Sequence, residues 1–174
     1  IGPGCVINKE DFTSEINYLK EHHFDTNLIK VSPKAHVISN EHKNEDKKTH
    51  AKTQGSTSKG IAQCYRDKYG RIGKRVNHPD NIEFFKDYIW DENLYGNILC
   101  EGAQGFWLDI DQGNYPYVTS STTLPYGACS LGFSPKLINN IYGAVKIYDT
   151  RSGIDTNFPE SLLDNSELLL LSNE

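Results

Sequence analysis

Phe12, Ile16 and Leu19 recur at helical spacing behind Asn8, a residue type whose short side chain caps helix starts. The pattern predicts a helix from Asn8 to about His22. Asn27 to Val31 reads as a short strand, and Lys34 to Ser39 as an apolar segment open to either state. From Asn40 to Lys59 large apolar groups almost vanish, which for residues 41–52 predicts a solvated helix face or a mobile loop. Phe84, Phe85, Tyr88 and Ile89 then mark an amphipathic helix over Glu83–Trp90. Asn97–Glu101 reads as an apolar strand running straight into Gly102-Ala103-Gln104-Gly105. Ser134-Pro135 is a helix start with Gly143 as its stop, and Gly143–Tyr148 reads as a buried strand ending in the loop Asp149–Gly153.

Helices alternating with short apolar strands predict an α/β fold, with a mostly parallel central sheet flanked by helices. Ligands of such sheets bind beyond the carboxyl ends of the strands, where the loops after Glu101 and Tyr148 would open. The 174 residues suffice for one core, and residues 1–174 read as the central part of a single domain. No Met occurs anywhere, and the last residues follow an amphipathic segment without a terminal element, so excision from a longer protein is expected. No apolar run approaches the length of a membrane span and no signal-peptide pattern opens the chain; a cytoplasmic address is the default expectation. Cys5, Cys64, Cys100 and Cys129 are too scattered for a zinc site or a dense disulfide framework. The net charge of -5 argues against a general nucleic-acid surface while leaving room for a local phosphate pocket.

Three segments carry the candidate chemistry. Gly55-Ser56-Thr57-Ser58-Lys59-Gly60-Ile61, with Arg66, Lys68 and Arg71 after it, has the glycines, hydroxyls and cations of a phosphate cradle, although it is no Walker loop and such a cluster alone is more often a plain loop. Glu101-Gly102-Ala103-Gln104-Gly105 puts an amide between glycines at a strand end, where it can both donate to and accept from a base edge. Asp109 and Asp111 beyond it read as a hydrogen-bonded turn, since no further carboxylate lies at metal-ligand spacing. Thr119-Ser120-Ser121-Thr122-Thr123 is an unbroken hydroxyl run suited to phosphate or sugar oxygens, or to a polar exposed strand.

Taken in order, GSTSKGI…YRDKYGR, EGAQG and LDIDQGNYPYVTSS resemble the adenylosuccinate synthetases, and so do the opening IGPGCVI and the closing KIYDTRSG…FPE. The resemblance implies a ligase that joins L-aspartate to the 6-position of a purine nucleotide, inosinate (IMP), using GTP and magnesium (Mg2+). It implies that Thr57 binds the nucleotide's phosphate, with Arg71 reaching the same phosphate across a homodimer interface. Gln104 would face the base, Thr119 would hold the phosphate as well, and Arg151 would stand at the loop that approaches ribose and aspartate. The family's triphosphate loop, catalytic aspartate and catalytic histidine match nothing here. No catalytic residue or metal ligand is therefore expected in this chain, which by itself should be inactive; His36 and His42 read as structural or surface residues.

The chain also departs from the family pattern. Ser58 and Lys59 stand where glycine and arginine are usual, and Leu124-Pro125-Tyr126-Gly127 follows the hydroxyl run in place of small residues. The stretch from Arg71 to Glu101 is short, as in the compact archaeal and phage branches. Phage relatives join aspartate to deoxyguanylate with ATP or dATP, which is the alternative substrate reading. A non-catalytic nucleotide-binding homologue is the alternative outside enzymes.

Overall fold

A computed structural model describes residues 1–53, 57–147, 150, 151, 153 and 155–158. Its centre is a βαβ unit. Strand β1 (Val6–Ile7) leads into helix α1 (Lys9–Glu21), and strand β2 (His36–Val37) lies parallel to β1 with Val6 opposite His36 and Ile7 opposite Val37. The α1 start is as predicted: the Asn8 Oδ1 accepts the Glu10 and Asp11 amides at 2.9 and 3.0 Å, and Glu10 and Asp11 suit the positive end of the helix dipole.

Phe12 and Ile16, one turn apart, drop onto a buried cluster of Ile7, Val31, Ala35, Val37, Val76 and Phe85. Phe85 is fully buried, with its ring centroid 5.6 Å from that of Phe12, and Tyr88 meets Phe12 edge-on at 5.0 Å. Each such side chain contributes roughly 1.5–3 kcal/mol by leaving water. Val76 reaches the cluster because the segment around it pairs with β2: the Val37 amide donates to Lys74 O at 2.9 Å, and the Val76 amide to Ala35 O at 2.8 Å.

Helices α2 (Asn40–Thr53) and α3 (Ile61–Tyr69) pack together, and their contact is polar. The His42 Nε2 lies 3.0 Å from Asp67 Oδ2, Arg66 pairs with Glu45, Gln63 reaches Thr49, and Asp46 Oδ2 accepts the Gly60 amide at 2.9 Å. The polar run is thus a helix as read, but one face of it is not solvated: Asp46 and His42 are buried. Helix α4 (Pro79–Phe85) starts at the His78-Pro79-Asp80 signal, four residues before the predicted start, and gives way to a 3-10 turn over Lys86–Tyr88.

Four expectations need correction. The α/β character stands, but β1 and β2 form a two-stranded sheet, the only one among the described residues; a mostly parallel central sheet is not present. Asn27–Val31 is a 3-10 turn at Thr26–Leu28 followed by a single bridge from Val31 to Ile89. Residues 97–101 and 143–147 lie outside any ladder, with Leu99 86% and Val145 92% exposed, and the helix predicted after Pro135 ends at Leu137. The Ser134 cap forms as expected, but a single capped turn cannot propagate when the side chains after it bury nothing.

Candidate functional site

The Gln104 segment and the hydroxyl run come together through Asp109. After Gly105 the chain makes a 3-10 turn over Phe106–Leu108 and then buries the Asp109 carboxylate completely. Asp109 Oδ1 accepts the amides of Asp111 and Gln112 at 3.0 and 3.3 Å, which is the turn read from the sequence. Its Oδ2 also accepts the Thr123 amide at 2.9 Å and the Thr123 hydroxyl at 3.3 Å. These bonds, the Thr123 amide first, hold its carboxyl below the usual carboxylate range. At the other end of the run, the Thr119 amide donates to Leu108 O at 2.8 Å. Gly113 lets the strands of this knot touch, since a Cβ there would come within 2.7 Å of both Asp109 O and Val118 Cγ1.

Fixed in this way, the run meets Gln104. The Ser121 hydroxyl donates to Gln104 Oε1 at 3.0 Å, and Thr119 Oγ1 lies 3.2 Å from Ser121 Oγ. Gln104 is exposed and has φ 60°, a left-handed conformation that a glutamine rarely adopts. With Oε1 occupied, its amide NH2 remains to donate. The result is a row of one amide and two hydroxyls that can pair with a base edge and with sugar or phosphate oxygens, with no nucleophile or general base in it.

Arg151 approaches the same run from beneath. Its Nη1 lies 3.2 Å from Asp155 Oδ2, its Nη2 donates to the Tyr117 carbonyl, and its side chain is only 10% exposed. Asp155 is shared, with Oδ1 accepting from the Asn157 amide at 3.0 Å and from Asn114 Nδ2 at 2.6 Å. The Asn157 amide first, then Asn114 and Arg151, keep its carboxyl below the usual range. Asp155 and Asn114 were not singled out by sequence, because nothing in their spacing announces a pairing across 41 residues.

Thr57 and Arg71 lie elsewhere, at opposite ends of α3, and both are exposed. The nine-residue helix between them spans roughly 14 Å. Arg71 has φ 63° and Ser58 φ 58°, so Ser58 occupies a conformation that glycine adopts without steric cost. The Gly60 amide, offered by the sequence as part of a phosphate cradle, is spent on Asp46. Gly55, Ser56, Tyr148, Asp149 and Ser152 fall outside the described residues.

A groove of about 510 Å³ lies over the carboxyl ends of β1 and β2, and several of the charges lining it pair with one another: Arg66 with Glu45 and Asp67, Lys74 with Asp80. Among the described residues no three His, Cys, Asp or Glu side chains gather as metal ligands. The two carboxylates at the loop pair, Asp109 and Asp155, are filled by N–H donors, which does not fit a magnesium site.

The family profile described as "Adenylosuccinate synthetase" matches residues 1–95 and 80–171. Adenylosuccinate synthetases of Listeria welshimeri and Lactobacillus gasseri are 31% and 34% identical to the chain over 218 and 217 residues. Those matches cover 95% and 94% of the chain and 50% of each relative, so the chain spans about half the length of the curated relatives it matches. The structure of fully ligated adenylosuccinate synthetase from Plasmodium falciparum superposes with a TM-score of 0.73 at 30% identity, over 88% of this chain and 48% of that one.

Proposed function

The chain belongs to the adenylosuccinate synthetase family, and from that membership we propose that it supplies the purine-nucleotide-binding part of a ligase that joins L-aspartate to the 6-position of inosinate. The observation that carries this reading is the row Gln104–Ser121–Thr119, which presents an amide and hydroxyls side by side. In the proposed reaction the 6-oxygen attacks the terminal phosphorus of GTP, releasing GDP. The aspartate amine then adds at C6 and the phosphate departs with its oxygen. Phosphorylation converts a poor leaving group into a good one, so binding residues contribute chiefly by positioning.

Gln104 pairs with the base, Thr119 and Thr57 with phosphate oxygens, and Arg151 stands at the loop facing ribose and aspartate. Arg71 reaches the phosphate from a partner subunit. Thr57 and Arg71 flank opposite ends of α3, a helix roughly 14 Å long, and a guanidinium supplied by a second copy is suited to bidentate phosphate contact. We assign no catalytic residue and no magnesium ligand to this chain, and derive no step through the metal.

The test is Gln104→Ala in the complete native polypeptide. Loss of a hydrogen-bonding partner for the buried base edge should cost roughly 1–3 kcal/mol of nucleotide binding or turnover without changing fold stability. Unchanged kinetics with a lowered melting temperature would show that Gln104 only braces its turn. Arg71→Leu should raise the KM for the purine nucleotide much more than that for the triphosphate; equal effects, or none, would remove the cross-subunit role.

A further inference from the structure

We propose that Asp109 and the Arg151–Asp155 pair are positioning residues, clamping the hydroxyl run at both ends and so setting where Thr119 stands relative to Gln104. The inference rests on the nucleotide-binding reading of that run and assigns Arg151 a role acting through the loop.

The two clamps are chemically alike and spatially complementary. At the far end, Asp109 draws the Thr123 amide and hydroxyl onto a carboxylate that is wholly out of solvent. At the near end, Arg151 draws the Tyr117 carbonyl toward Asp155, while Asn114, whose carbonyl accepts the Tyr117 amide at 2.8 Å, is tied to the same carboxylate. The Asp155 side chain is 9% exposed and that of Arg151 10%, so both charges are paired out of water.

The guanidinium is turned into the loop, with its side chain only 10% exposed. Nη1 and Nη2 are engaged, and the one nitrogen without a partner, Nε, is buried. An arginine held in this way fixes a loop better than it grips a ribose. Between the clamps, Ser121 meets Gln104 and Thr119 meets Ser121, and among the described residues every member of the buried apolar cluster precedes residue 90. Their spacing is therefore set by hydrogen bonds to buried charges. A displaced clamp moves the contacts without touching the nucleotide.

The experiment compares Asp109→Asn, Asp155→Asn and Arg151→Gln with the wild type in the complete native polypeptide, by steady-state kinetics and peptide-resolved amide hydrogen exchange. Each variant is expected to raise the KM for the purine nucleotide about tenfold or more, with the KM for the triphosphate within about twofold. Exchange across 117–123 should quicken while exchange in α1 stays as it was. The double variant R151Q/D155N should cost less than the two single effects added together, since the two residues share one pair. Unchanged exchange and unchanged nucleotide KM would overturn the proposal.

If a variant fails to fold, the wild type still decides: slow exchange at the Tyr117 and Thr123 amides supports the clamps, and exchange as fast as at an exposed loop overturns them. A wild type that binds no purine nucleotide would overturn the functional reading, while the exchange data would judge the clamps separately.

Discussion

In residues 1–90 the side chains of Val31, Ala35, Val76 and Phe85 have no exposed surface at all, whereas in residues 91–158 Leu99, Val145 and Ile147 are 86%, 92% and 102% exposed. Among the described residues of the second region, the fully buried one is a carboxylate, Asp109. Two ways of holding a chain in shape therefore sit side by side. Apolar burial organises the βαβ unit around Phe12 and Phe85; hydrogen bonds to buried charges organise the loops that carry Gln104 and Thr119. The first kind is sensitive to volume and backbone clashes, the second to the loss of a single polar atom.

That difference can be broken most directly at Phe85. Phe85→Ala should lower the stability of the protein by about 3–5 kcal/mol in urea unfolding, because it empties a fully buried site. A loss below about 1 kcal/mol would mean that the cluster is not the organising core. Gly60→Ala comes next. Gly60 has φ 75°, and a Cβ there would lie 2.8 Å from both the His42 carbonyl carbon and the Lys43 nitrogen, backbone that cannot swing aside. A loss of about 2–3 kcal/mol is expected, with α2 and α3 coming apart first in hydrogen exchange.

A smaller effect is expected from pH. Burial first, then Lys68 and Arg75, press the His36 pKa down to about 4. The unfolded chain takes up this proton near pH 6.5, so His36 favours folding fully above that pH, and the benefit is lost as pH falls from 6.5 toward 4. The full shift corresponds to about 3 kcal/mol, of which rearrangement around the protonated ring should leave a loss of about 1–2 kcal/mol, and His36→Gln should flatten the profile across that window. Asp67, lowered chiefly by its bond to His42, adds a loss in the same direction at more acid pH. Smallest of all, Ile147→Ala should change stability by less than about 0.5 kcal/mol, since its side chain is fully exposed. A loss as large as that of Phe85→Ala would erase the contrast between the regions.

The same contrast explains what was legible in the sequence. Asn8 with Phe12 and Ile16 announces α1 because cap and apolar face are local signals. Asp109 announces its turn for the same reason, since Asp111 and Gln112 lie two and three residues on. Its second task, holding Thr123 across 14 residues, has no local signature. The polar run of α2 shows a helix but conceals its partner, because Asp46 and His42 are buried against α3 by hydrogen bonds that polar composition disguises as solvation. Residues 97–101 and 143–147 have strand composition, yet a ladder needs a neighbouring strand, and none pairs with them among the described residues. The clamp of Arg151 on Asp155, Asn114 and Tyr117 joins three loops and was invisible for that reason.

Which purine the row Gln104–Ser121–Thr119 accepts bears on the functional reading as a whole. Leu124 and Pro125 directly follow the hydroxyl run, and Tyr126 after them is 54% exposed, free to take an aromatic contact. Isothermal titration of the complete native polypeptide with inosinate, guanylate and deoxyguanylate measures the choice directly. Tight binding of inosinate, with deoxyguanylate weak or absent, is the expected result; clear preference for deoxyguanylate, or no binding of any purine nucleotide, would contradict it.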